Sequence, residues 1–166
     1  MTEKYPVVDK RTISYEGLFN ASELFYTIDS WLRDNGYDKY EKKVLEKNLE
    51  SGRFVQHKME PYKKINDYVK LVIEITLTLS ELKDVTIEKE GLKIALNKGK
   101  VDCSLAGVLY TDYEGRWETK PIFFFIGVLL DKFIFKTRFH YYVDTLRKDV
   151  TNLEHEIKTF LNLSRF

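Results

Sequence analysis

Residues 139–160 read FHYYVDTLRKDVTNLEHEIKTF, and their spacing decides the fold. Phe139, Val143, Leu146, Val150, Leu153, Ile157 and Phe160 recur at intervals of 4, 3, 4, 3, 4 and 3. That interval pattern is a heptad seam on one side of a helix, and such a seam must lie against another layer. The layer is either a sheet of the same chain or a second copy of the protein, and spacing alone leaves both open. If each of the seven is fully buried, at about 1.5–3 kcal/mol apiece, the seam is the largest single gross contribution legible in the chain.

Just upstream, Pro121–Leu130 (PIFFFIGVLL) is an unbroken apolar run. Ile122, Ile126, Leu129 and Phe133 keep helical spacing, while Phe123, Phe124, Phe125, Leu130 and Phe135 fill the other faces. A helix greasy on all sides is expected to be buried on several of them. Ten apolar residues are half of the roughly 20 that span a bilayer. Lys120 and Asp131-Lys132 close the run, so a buried helix is expected rather than an interfacial membrane helix. The phase breaks near Lys136-Thr137-Arg138, which predicts two helices, or one kinked helix, over residues 119–162.

From Arg53 to Tyr113 the period is two. Leu71, Ile73, Ile75, Leu77 and Leu79 share one face of a strand, with Lys70, Glu74, Thr76 and Thr78 opposite. Val72 sits among the polar residues, which implies that the second face is partly covered. Phe54–Tyr62 predicts a preceding strand closed by Pro61. Val85 and Ile87, then Leu92, Ile94 and Leu96, predict two short strands about Glu90-Gly91. Asn97-Lys98-Gly99 is a further hairpin signal before Val101, Cys103, Leu105, Gly107 and Leu109. Short connections pair neighbours antiparallel, giving a meander of four or five strands over 53–113.

Residues 20–49 read as helical. Asn20 is placed to cap the first helix with Glu23 three positions on, and Leu24, Phe25, Ile28, Trp31 and Leu32 share one face. Asn35-Gly36 ends it. A second, mostly charged helical stretch is expected from Lys39 to Asn48. Residues 1–17 read as an extended arm. An antiparallel sheet with one greasy face needs a cover, and these helices supply it. The expected fold is therefore a single α+β domain in two layers, with the N-terminal amphipathic helix and the C-terminal helices over the sheet.

Composition narrows the function classes. At 166 residues with 43% apolar residues, the chain has enough core to fold without a disulfide or a metal. The net charge of +1 and the interleaved acids and bases leave no concentrated basic stripe, so no nucleic-acid partner is expected. Tyr62-Lys63-Lys64-Ile65 and Tyr68-Val69-Lys70 alternate rings with lysines, as single-strand binders do, but packing is the better account. A single cysteine, Cys103, excludes an intrachain disulfide and a cysteine-based zinc site, and it reads as a buried thiol. The charged first residues carry no secretion signal, so a reducing, cytoplasmic setting is expected.

No catalytic motif can be assembled. His57, His140 and His155 are expected to be solvated surface residues, and no HExxH or Ser/His/Asp pattern is present. Gly91, Gly99, Gly107 and Gly115 recur every eight residues as hairpin punctuation, without the form of a phosphate-binding loop. The densest polar cluster is Asp112, Glu114, Arg116 and Glu118. Its carboxylates could share a cation or do acid/base chemistry, but turn formation and ion pairing are the expected roles. No cofactor and no metal site is expected.

Tyr15-Glu16-Gly17-Leu18-Phe19, Asp112-Tyr113-Glu114, Trp117-Glu118 and Asp131-Lys132 resemble stretches in small α+β proteins of archaea and their viruses. The resemblance covers most of the length. It implies no activity and carries over no functional residue, and it adds the virion to the possible locations. The function expected is thus a non-enzymatic structural or interaction protein, within a larger assembly, that associates with itself through its C-terminal helices. Ile126, Leu129, Phe133, Val143, Leu146, Val150, Leu153 and Ile157 would carry the contact. The alternative is a module that binds an apolar ligand, lined by Phe123–Phe125 and Tyr110, or docks on a membrane surface.

Overall fold

Six antiparallel strands form one open sheet in the computed structural model, which describes residues 2–114, 121–130, 132, 133 and 136–163. The elements run β1 (Glu3–Phe19), α1 (Ala21–Asp34), β2 (Glu41–Leu49), β3 (Gly52–Met59), β4 (Tyr62–Lys64), β5 (Val69–Lys89), β6 (Leu92–Thr111), α2 (Pro121–Leu130) and α3 (Lys136–Leu163). The sheet order is β1-β6-β5-β3-β2, with β4 also paired to β5. The α+β class and the antiparallel sheet are as the sequence predicts, with six strands rather than four or five.

The extra strands come from segments whose pattern misleads. The expected N-terminal arm is strand β1, paired with β6 from Glu3↔Thr111 to Phe19↔Asn97. Its alternation is hidden by register shifts between Pro6 and Val8 and between Val8 and Arg11, since each bulge moves later side chains to the other face. The stretch expected to be helical from Lys39 to Asn48 is largely strand β2, on the edge of the sheet against β3. It has no apolar stripe to hold a helix down, so pairing with β3 wins over local propensity. Its lysines keep that edge from recruiting another strand.

β5 and β6 form one long hairpin instead of a series of short strands. It turns at Glu90-Gly91, where both residues have positive φ. Asn97-Lys98-Gly99 does not turn; it lies within β6. Gly99 is there because β5 bulges at Glu81, which has φ +54. A Cβ on Gly99 would lie 2.9 Å from the Ser80 carbonyl oxygen, so close backbone approach selects glycine at this point.

The inner face of the sheet carries Leu71, Ile73, Ile75, Leu77 and Leu79 with Val101, Cys103, Leu105 and Leu109, all buried. α1 starts as predicted, with the Asn20 side chain accepting the Glu23 backbone N–H at 3.2 Å. Leu24, Ile28 and Leu32 enter the same core. Val72 on the outer face is also buried, in register with Tyr62 of β4 and Val108 of β6.

α3 answers the question left open by its seam. Leu146, Val150, Leu153 and Ile157 are 0% exposed, within the core formed with the chain's own sheet and α1, and Val143 is buried at 8% exposed. These five residues, expected to carry a contact between copies, are interior to one chain. The inner face of the sheet needs a long cover, and α3 is the element of sufficient length. Above Gly107 a side chain would collide: its Cβ would lie 3.1 Å from Leu146 Cγ and 3.2 Å from Val8 Cγ2. Polar ties fix α3 at its flanks. Arg11 of β1 donates to Glu154 at 2.9 Å, and the buried Tyr37 hydroxyl donates to Asp149 at 2.7 Å.

Candidate functional site

With the seam consumed internally, three of the eight predicted contact residues stay on the surface: Ile126, Leu129 and Phe133. They belong to a larger exposed set. Ile122 is 67% exposed, Phe125 65% and Phe133 65%, with Val128 also exposed. At 3.6 residues per turn, Ile122, Phe125, Ile126, Val128 and Leu129 fall within an arc of about 160° on α2. The expectation that α2 is buried on several sides is therefore corrected for these side chains. Those of Phe123 and Phe124 lie outside the described residues, so of the predicted apolar lining only Phe125 and Tyr110 can be placed. Phe125 is exposed on α2, and Tyr110 lies on the outer face of β6. Among the described residues no helix is long and apolar enough to cross a membrane.

Both ends of α2 lead back to one end of the sheet. β6 ends at Thr111, and the next residue's backbone N–H donates to the Tyr68 carbonyl at 2.8 Å. At the start of α3, the Phe139 ring meets the Tyr5 ring edge-on at 5.6 Å, and Tyr5 is in register with Leu109. The apolar helix is thus tethered where β1 begins and β6 finishes.

The outer face of the sheet at this same end is basic and aromatic. Lys4, Tyr110, Lys70 and Lys64 are neighbours in register across β1, β6, β5 and β4, forming one row. The Lys70 ammonium lies 5.0 Å from the centroid of Tyr113, 5.2 Å from Tyr110 and 5.5 Å from Tyr62. Lys4 lies 5.1 Å from Tyr110, and Lys64 lies 5.7 Å from Tyr113. Tyr113 is held in place by donating its hydroxyl to the Asn66 carbonyl at 2.8 Å. Burial, and then the neighbouring Lys64 charge, push the Lys70 ammonium below the usual lysine range. The facing carboxylate Glu60 acts the other way and is ion-paired with Lys42.

Sequence reading noticed Tyr62, Lys64 and Lys70 but assigned them to packing. Tyr110 was assigned to an apolar lining, and Lys4 and Tyr113 were not joined to it, because only strand register brings Lys4 and Tyr110 to the others. Further along the same face lies a depression of about 330 Å³ between Lys10, Lys58 and Asp102, otherwise lined by Ser, Thr and Gln.

The predicted polar cluster is divided. Asp112 is buried and continues the end of β6, its carbonyl accepting from the Thr2 hydroxyl at 3.1 Å, and Glu114 is exposed. Arg116 and Glu118 lie outside the described residues. Among the described residues no three His, Cys, Asp or Glu side chains converge as metal ligands. His57 is not solvated as expected: it is half-buried on the inner face, its ring centroid 4.6 Å from Phe25 of α1. Cys103 is buried as predicted, and burial pushes its thiol up to about 12. Comparison with protein-family models and with curated proteins returns no match.

Proposed function

We propose that the chain is a non-enzymatic docking module that seats α2 on an anionic lipid surface. The carrying observation is the exposed apolar arc of α2, tethered at the end of the sheet that bears Lys4, Lys64 and Lys70. Large exposed apolar patches mark interaction sites, and the chain leads from this one to the end of the sheet that bears the lysine row. Ile122, Phe125 and Phe133 supply about 1.5–3 kcal/mol each, gross, if fully withdrawn from water. Lysines beside a negative leaflet add about 1 kcal/mol apiece. Tyrosines suit the same boundary, where one end of the ring is dry and the other wet.

Self-association through Ile126, Leu129 and Phe133 is the competing reading, and charge counts against it. The end of the sheet that carries Lys4, Lys64 and Lys70 is complementary to a negative surface and not to a second copy of itself.

Flotation with phosphatidylcholine vesicles containing phosphatidylglycerol tests the proposal, alongside light scattering over a concentration series. The parent should float with the vesicles, and Phe125→Asp should stay behind while remaining folded. A parent that ignores vesicles but gains mass with concentration would replace lipid docking by self-association.

A further inference from the structure

We propose that Lys70, flanked by Lys4 and Lys64, is the seat for the phosphate of an anionic lipid headgroup. The proposal rests on the docking reading and names the chemistry that the basic end of the sheet recognises. Three observations carry it. First, the row Lys4–Tyr110–Lys70–Lys64 sets Lys64 and Lys70 directly opposite each other across β4 and β5. Like charges in opposed positions destabilise a sheet unless an anion bridges them. Second, among the described residues none of the three ammoniums has a carboxylate within ion-pairing distance, whereas Lys42, Lys63 and Lys100 all do. Third, the rings of Tyr62, Tyr110 and Tyr113 hold the half-buried Lys70 ammonium in a fixed position, so little side-chain entropy is left to lose when an anion arrives. The π faces steady the cation without neutralising it. A phosphate oxygen can then accept from Lys70 while Lys4 and Lys64 close in from either side.

The experiment measures vesicle affinity for the full chain and four variants: Lys70→Gln, Lys70→Arg, Lys93→Gln and Phe125→Asp. Vesicles are phosphatidylcholine alone or phosphatidylcholine with phosphatidylglycerol, and inorganic phosphate is titrated separately while the Tyr110 and Tyr113 amide resonances are followed. Lys70→Gln should weaken binding to the anionic vesicles about five-fold. Lys93→Gln, two residues past the hairpin tip at the far end, should leave it unchanged, and Lys70→Arg should restore it. Equal losses for Lys70→Gln and Lys93→Gln would show diffuse charge attraction and overturn the seat.

Three other outcomes separate this inference from the reading beneath it. Binding to both vesicle types with no effect of Lys70→Gln would leave α2 docking intact and remove the phosphate seat. Loss of binding in Lys70→Gln with full binding in Phe125→Asp would keep the seat and remove α2 insertion. Saturation by micromolar inorganic phosphate without vesicle binding would reassign the site to a soluble phosphate and overturn the lipid assignment.

Discussion

Truncating Leu146 tests whether α3 owes its stability to its own chain. Leu146 is 0% exposed and stands over Gly107 of β6. Leu146→Ala removes three carbons, worth about 0.8 kcal/mol each, or about 2.4 kcal/mol before any cavity is counted. The cavity brings the expected loss to about 2.5–5 kcal/mol. Gly107→Ala is the complementary change. Its new methyl would meet Leu146 at 3.1 Å and Val8 at 3.2 Å, so overpacking of about 1–3 kcal/mol works against a gain of about 0.5–1 kcal/mol from stiffening the strand. In the double variant the methyl enters space that Leu146 has vacated. The pair should therefore cost less than its separate effects added together, by about 0.5–3 kcal/mol. Urea unfolding followed by circular dichroism measures all four proteins. The midpoint of the parent should not move with protein concentration, because a seam met by one's own sheet is first-order. A midpoint that rises with concentration, or a Leu146→Ala loss below about 1 kcal/mol, would refute intrachain burial of the seam.

The remaining expectations are briefer. Burial, and then the bond to Asp149, hold the Tyr37 hydroxyl above its ordinary range. A raised pKa gives stability that is present below about pH 10 and lost as pH rises beyond it, so the alkaline slope of stability should flatten in Tyr37→Phe. The Glu154 carboxylate is held below its usual range by Lys158 and then by Arg11. Its contribution is present above about pH 4.3 and lost as pH falls below, and Arg11→Gln should weaken that acid dependence in pH-titrated melts. Cys103 should not react with a thiol reagent at pH 8 until denaturant is added, since its thiolate is suppressed and its sulfur is buried. Phe125→Ser and Phe133→Ser should leave the unfolding free energy within about 0.5 kcal/mol of the parent, as surface changes do, while reducing vesicle flotation.

Local pattern carried much of the architecture. The seam of α3, the cap and apolar face of α1, and the alternation of Leu71–Leu79 are each written in short-range periodicity, and each element forms where its spacing says. These signals work because a helix or strand face is set by residues within two turns or a few steps. They determined the α+β class, the antiparallel sheet and the buried Cys103, whereas the break expected at Lys136-Thr137-Arg138 falls inside α3.

Tertiary structure decided what spacing could not encode. β1 and β2 are strands because β6 and β3 offered them backbone partners; bulges erased the alternation of β1, and β2, exposed along almost its whole length, had none to show. Gly99 serves a close approach to the Glu81 bulge from a strand distant in sequence, so it looks like a turn to any local reading. The choice between sheet and second copy for the α3 seam depended on which surface lay within reach, and the chain's own sheet was tethered nearest. The row Lys4–Tyr110–Lys70–Lys64 is drawn from four strands, and register alone, a property of pairing across the whole sheet, brings those side chains together.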